Sequence, residues 1–119
     1  AAQPNSRQES IRQLVTAART DIRRHIWLAS LADSPLNRVE RQEPRLISHV
    51  ERQRQEHDVF SETIDELVGA SSEAATADIW KMIELGEKAI LLEMALARHH
   101  NRLSQLLYET THVDEGVAG

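Results

Sequence analysis

The sequence predicts an all-α protein, an up-down antiparallel bundle of three long helices. Three observations predict it. Aromatic residues make up only 3% of the 119 residues, with Trp27, Trp80, Phe60 and Tyr108 the whole set; sheets favour aromatic and β-branched side chains, so this is poor strand material. Ala, Leu, Glu, Arg and Gln dominate, and all are good helix formers. Apolar residues recur at helical spacing in three long stretches, separated by short segments marked by Pro35, Pro44 and Gly69. The length suits one domain, residues 1–119, with helices near 6–33, 44–69 and 74–110.

The first helix is expected to start at Ser6, a candidate N-cap with Glu9 three residues on, as in a capping box. Its apolar positions are Ile11, Leu14, Val15, Ala18, Ile22, Ile26 and Ala29. "DSP" at Asp33–Pro35 should end it, because a residue before proline is pushed out of the α region. "LNRVERQE" then reads as a polar connection with a turn of helix, and residues 36–43 are one candidate for a short fourth helix.

Pro44 suits the first turn of the second helix. Leu46, Val50, Gln53, His57, Phe60, Ile64 and Leu67 alternate by four and three, the spacing of a heptad seam. Gly69 is the expected C-cap in left-handed conformation, and Ser71 or Ser72 the expected cap of the next helix.

The third helix carries two stripes unless Gly86 breaks it. One is Ile79, Ile83, Gly86, Ile90, Glu93, Ala97, His100 and Leu107. Beside it run Met82, Leu85, Ala89, Leu92, Leu96, His99, Leu103 and Leu106. So broad an apolar face suits a helix with two neighbours. Three helices of unequal length leave apolar surface over, which a short fourth helix or dimerisation would cover.

Charge and composition narrow the function. Residues 1–58 hold ten Arg against eight acidic residues, and residues 59–119 four basic against eleven acidic. An acidic chain without a basic face is a poor nucleic-acid binder, and the asymmetry suggests that the two halves attract each other, within one chain or across a dimer; a homo-oligomer or a protein partner is expected. No apolar run approaches the roughly 18 residues that span a bilayer, so no membrane partner is expected. Cysteine is absent, which removes disulfides and thiolate chemistry. "AAQPNS" could follow either a removed initiator methionine or a cleaved signal peptide; the expected compartment is cytoplasmic.

Gly-rich phosphate loops, H-E-x-x-H zinc helices and G-x-S-x-G elbows are all missing. The paired E-x-x-H segments of ferritin-like diiron bundles are missing too. No enzymatic activity is expected. What stands out instead is a set of polar residues on seams: His57, Glu93 and His100. Imidazole and carboxylate buried there need partners. A metal is one, and these donors suit iron, zinc or manganese. Hydrogen bonds that fix the bundle's register are another, for example between His57 and Glu93. His25 follows Arg23 and Arg24, and His112 lies in the tail, so both read as surface residues.

"RQEHDVFSETIDEL" (54–67) resembles the Glu-His start of a helix in hemerythrin-like, cation-binding (HHE) bundles. "ARHHNRLSQLLYETTHVDEG" (97–116) resembles the last helix of some bacterial members, with Tyr108, Glu109, Asp114 and Gly116 matching its Tyr-Glu step and Asp-x-Gly tail. The resemblance implies that His57 and either His99 or His100 lie on ligand helices for iron or another divalent metal. It is incomplete. The family places a carboxylate four residues after a histidine, where this chain has Gln53 after His49 and Ser61 after His57. It places aspartate five residues after the last-helix histidine, where this chain has Ser104 or Gln105. The expectation is a non-enzymatic bundle with a reduced metal site at His57, Glu93 and His100. The alternative is an adaptor subunit that docks through its amphipathic helices.

Overall fold

The structure, a computed structural model, describes residues 4–73 and 78–118, with side chains described for 9–72 and 78–110. It is helical throughout, with no strand among the described residues. The elements are α1 (Pro4–Ser30), α2 (Pro35–Gln42), a 3-10 turn (Pro44–Leu46), α3 (Ile47–Glu73) and α4 (Ile79–Ala118). No described helix is long and apolar enough to cross a membrane.

α3 is the middle helix. α1 and α4 both pack against it and touch each other little. Both pairs are antiparallel. Arg23 and His25 of α1 meet Asp65 and His57 of α3, and along α3 Val50 clusters with Leu106 of α4 while Phe60 packs on His99. The long axis of 65 Å is close to the ~60 Å that a helix the length of α4 spans.

Several expected boundaries move. α1 begins at Pro4, so Ser6 lies inside it rather than at its cap, and it ends at Ser30, three residues before the predicted stop. The expected polar connection is a full helix, α2. Ser34 caps it, its Oγ accepting from Asn37 N at 3.2 Å, and Pro35 takes the first turn. α2 buries Leu36 and Val39, two apolar residues three apart on one face. Polar side chains tie it down. Asn37 Nδ2 and Arg41 donate to the Leu31 and Ala32 carbonyls in the turn after α1, both at 2.8 Å. Arg54 of α3 donates to Asn37 Oδ1 at 2.7 Å and pairs with Glu40.

Gly69 does not close its helix. It sits inside α3 without a left-handed φ, and the helix runs on to Glu73. Ser71 and Ser72 are therefore not caps. Their hydroxyls donate back to Val68 O within α3, and Ser71 is buried, continuing the seam. The cap of α4 is Asp78, whose carboxylate accepts from Trp80 N at 3.0 Å. Gly86 does not break α4, which continues past the predicted end at Thr110 to Ala118.

Two apolar clusters fill the core. The first joins Val15 and Ile22 to Phe60, Ile64, Leu67, Leu85 and Leu92. The second, under α2, joins Leu36, Val39, Leu46, Val50 and Leu106. Every position of the α3 seam from Leu46 to Leu67 is buried. On α4 only the second stripe faces inward: Leu85, Leu92, His99 and Leu106 are buried at intervals of seven. Ile79, Ile83 and Ile90 of the first stripe remain exposed, because α4 has α3 on one side and little of α1 on the other.

Candidate metal centre

Between the two clusters the core is polar. Each long helix contributes one imidazole from its seam. On α1 the inward positions run Ile11, Val15, Ala18 and Ile22, spaced four, three and four, and the next step of three reaches His25. On α3 the seam reaches His57, 7% exposed, and on α4 it reaches His99, fully buried. Antiparallel packing brings the three to one level.

Their Nε2 atoms form a triangle. His25 to His57, His25 to His99 and His57 to His99 are each 3.1 Å. Such a triangle cannot be satisfied by hydrogen bonds among its members. Each Nε2 carries either a proton or a lone pair. With three atoms and two states, at least two are alike, so at least one edge sets proton against proton or lone pair against lone pair. A cation held by three lone pairs removes the conflict on all three edges. The spacing suits one. Nitrogens on a 3.1 Å triangle lie about 1.8 Å from its centre. Metal–nitrogen bonds of about 2.0–2.1 Å are within reach of all three nitrogens at once, so these imidazoles could together hold one ion.

The surroundings favour the ligating form. His99 Nδ1 donates to Glu56 Oε1 at 3.3 Å, and the other Glu56 oxygen is paired with Arg102. The carboxylate accepts, so Nδ1 holds the proton and Nε2 presents its lone pair to the triangle. Carboxylates support metal-binding histidines in this way. Phe60 packs edge-on against the His99 ring at 5.1 Å, and Gln53 Nε2 reaches the His99 carbonyl at 3.4 Å. Burial lowers the pKa of all three histidines. For His57 burial, with the His99 and His25 rings beside it, lowers the value from 6.5 to about 4. For His25 burial is joined by the charges of His99 and His100. For His99 burial outweighs the opposing pull of Glu56. Neutral imidazole is the form that binds metal.

Of the three residues singled out in the sequence, the structure places only His57 in this cluster. Glu93 and His100 lie on the outer stripe of α4 and are exposed. The His100 ring borders His25 at 5.1 Å between centroids, but its nitrogens are not part of the triangle. The two stripes of α4 differ by one residue, about 100° of rotation, and the inner one carries His99. His49, although four residues before Gln53, is exposed. The side chain of His112 lies outside the described residues.

His25 is a correction. It is half-buried in the cluster rather than at the surface. Its adjacent arginines point elsewhere: Arg23 pairs with Asp65 at 3.3 Å, and both Arg23 and Arg24 are exposed. The signal was available in the four-three spacing from Ile11. Comparison with known proteins finds no matching family model, no matching curated protein and no matching solved structure. A helical bundle with three histidines that could hold a metal is compatible with the hemerythrin-like resemblance.

Proposed function

We propose that the protein is a non-enzymatic metal-binding helical bundle that holds one divalent ion through His25, His57 and His99. The observation that carries this reading is the 3.1 Å triangle of Nε2 atoms with the His99 tautomer set by Glu56. Three neutral imidazoles suit zinc, iron and other late first-row ions better than magnesium or calcium. The hemerythrin-like resemblance of residues 54–67 and 97–116 points the same way. The two bridging carboxylates of that family are absent, with Gln53 or Ser61 in the place of one and Ser104 or Gln105 in the place of the other, so a single ion is the natural content of the site.

The test is metal analysis of protein purified without chelator, then stripped and titrated with zinc or iron(II). One ion per chain is expected. His25→Ala and His57→Ala should each abolish tight binding, and His100→Ala should retain it. Retention of the ion by His25→Ala would overturn the assignment.

A second reading, self-association, is favoured by one observation. Ile79, Trp80, Ile83, Ile90, Leu91 and Met94 all lie on α4 and are 48–74% exposed. A contiguous apolar face of this kind is characteristic of interfaces, and a second copy of the chain would cover it. Light scattering at micromolar concentration tests it; a persistent monomer would rule it out.

A further inference from the structure

A pocket of about 200 Å³ opens beside the triangle on its His25–His57 side. Its walls are apolar, made by Leu28 of α1, Pro35 and Leu36 of α2, and Leu103 of α4. Two other polar side chains line it. Ser34 is already engaged, its hydroxyl donating to Ala29 O at 2.7 Å and accepting from Asn37 N. Gln53 is different. It is 3% exposed, its Nε2 is held by the His99 carbonyl, and its Oε1 has no hydrogen-bond partner.

We propose that an ion held by the three histidines keeps an exchangeable position, and that this pocket supplies it with a small, uncharged ligand bearing a proton that Gln53 Oε1 accepts. The inference rests on the metal-binding reading above. Three protein ligands leave a divalent ion at least one position for an outside molecule. The pocket selects its chemistry. No Lys or Arg is among its described lining residues, so the pocket itself gives an anion no counter-charge and the Gln53 carbonyl oxygen repels one; only the ion's own charge would draw an anion in, and the acetate comparison below weighs the two. A buried acceptor with no donor is costly to leave unmade, and a ligand that both coordinates and donates satisfies it. Water, a small alcohol or an azole has these properties; acetate and phosphate do not. An amide oxygen at Gln53 accepts a proton from a bound ligand without adding charge.

Cobalt(II) serves as the probe ion, read by its visible absorption. Imidazole and 1-methylimidazole are the probe ligands, at a pH where both are uncharged. They offer the same ligating nitrogen and differ by one N–H. Imidazole should change the cobalt spectrum at a concentration about threefold to tenfold lower than 1-methylimidazole, the range expected for one neutral hydrogen bond. Gln53→Leu should still bind one cobalt per chain and lose the preference. Leu103→Trp, which fills the pocket, should bind cobalt and respond to neither ligand; its cobalt stoichiometry reports that it is folded. Cobalt bound at one per chain with a spectrum that neither ligand alters would overturn this proposal and leave the metal site standing. So would an unchanged preference in Gln53→Leu, or acetate binding tighter than imidazole. Failure to bind cobalt, zinc or iron at all would overturn both.

Discussion

Two layers of the bundle, one heptad apart, occupy matching positions on the same three helices. Seven residues from His25, His57 and His99 stand Ala18, Ile64 and Leu92. Ile64 and Leu92 are buried, and Ala18 packs against the same cluster. One layer is held by apolar contact alone. The other puts three imidazoles on the same seams, where burial disfavours their charge and their nitrogens conflict. The backbone tolerates both. A bundle that could have continued its apolar core at no cost in geometry instead sets three polar rings there; sequences break their own pattern in this way chiefly at functional or strained sites, and this supports the metal-binding proposal.

The largest test of this contrast is metal itself. An ion present at about a thousand times its dissociation constant stabilises the folded state by roughly 4 kcal/mol. Thermal melts of the wild type should rise by many degrees on adding zinc to stripped protein. The same addition should leave His25→Ala unmoved; an equal rise in that variant would place the ion elsewhere.

Next come substitutions in the two layers, compared in stripped protein by denaturant unfolding. Ile64→Ala should cost about 3 kcal/mol through the cavity it leaves in packed core. His57→Leu should be neutral or gain about 1 kcal/mol, because an apolar group replaces a polar one in conflict. A large loss in His57→Leu would mean that the imidazole makes a stabilising contact of its own, and the contrast between the layers would collapse.

Acid should affect the histidine layer of stripped protein in a defined window. As pH falls through 6.5 the unfolded chain takes up a proton at His57, while the folded chain keeps the ring neutral down to about 4. The unfolded state then binds more protons, so stability falls as pH falls. Across that window the slope should be about 1.4 kcal/mol per pH unit for each proton involved. Unfolding midpoints of wild type and His57→Leu between pH 7 and 4 should diverge, the wild type losing more. Parallel curves would show that His57 titrates alike in both states.

The smallest expected effect concerns the residues outside both layers. Glu93→Ala and His100→Ala should change stability by no more than about 0.5 kcal/mol, as exposed positions do, and should leave the metal stoichiometry at one. A loss of metal in either would move the site toward the outer stripe of α4.

The helices and the α3 seam were legible because α3 is enclosed by both neighbours, and an enclosed helix writes its heptads plainly from Leu46 to Leu67. His57 was found on that account. α4 was ambiguous because it carries two apolar stripes and only one is covered. The interval of seven from Leu85 to Leu106 tells them apart only once α3 is known to be its main neighbour. His25 was hidden by Arg23 and Arg24. Residues adjacent in a helix point about 100° apart, so their charge says nothing about the face that His25 occupies. α2 read as a connection because six of its eight residues are polar or proline; Leu36 and Val39 are too few to set a period. The triangle itself joins three helices, and no local pattern encodes it.

That last feature bears on how the chain assembles. His25 and His57 are 32 residues apart, His57 and His99 a further 42, and the outer pair 74. An ion bound to all three closes two large loops at once, as a cross-link does. Loops of that size are expensive to close in an unfolded chain, by an entropy that grows slowly with their length. No two of the three histidines are close in sequence, so an ion would find its full set of ligands only after α1, α3 and α4 had met. Once bound, it would tie α1, α3 and α4 to one point. The same spacing that would delay capture would make such an ion a clasp on the whole bundle, so that a helix could leave the others only by giving up its imidazole.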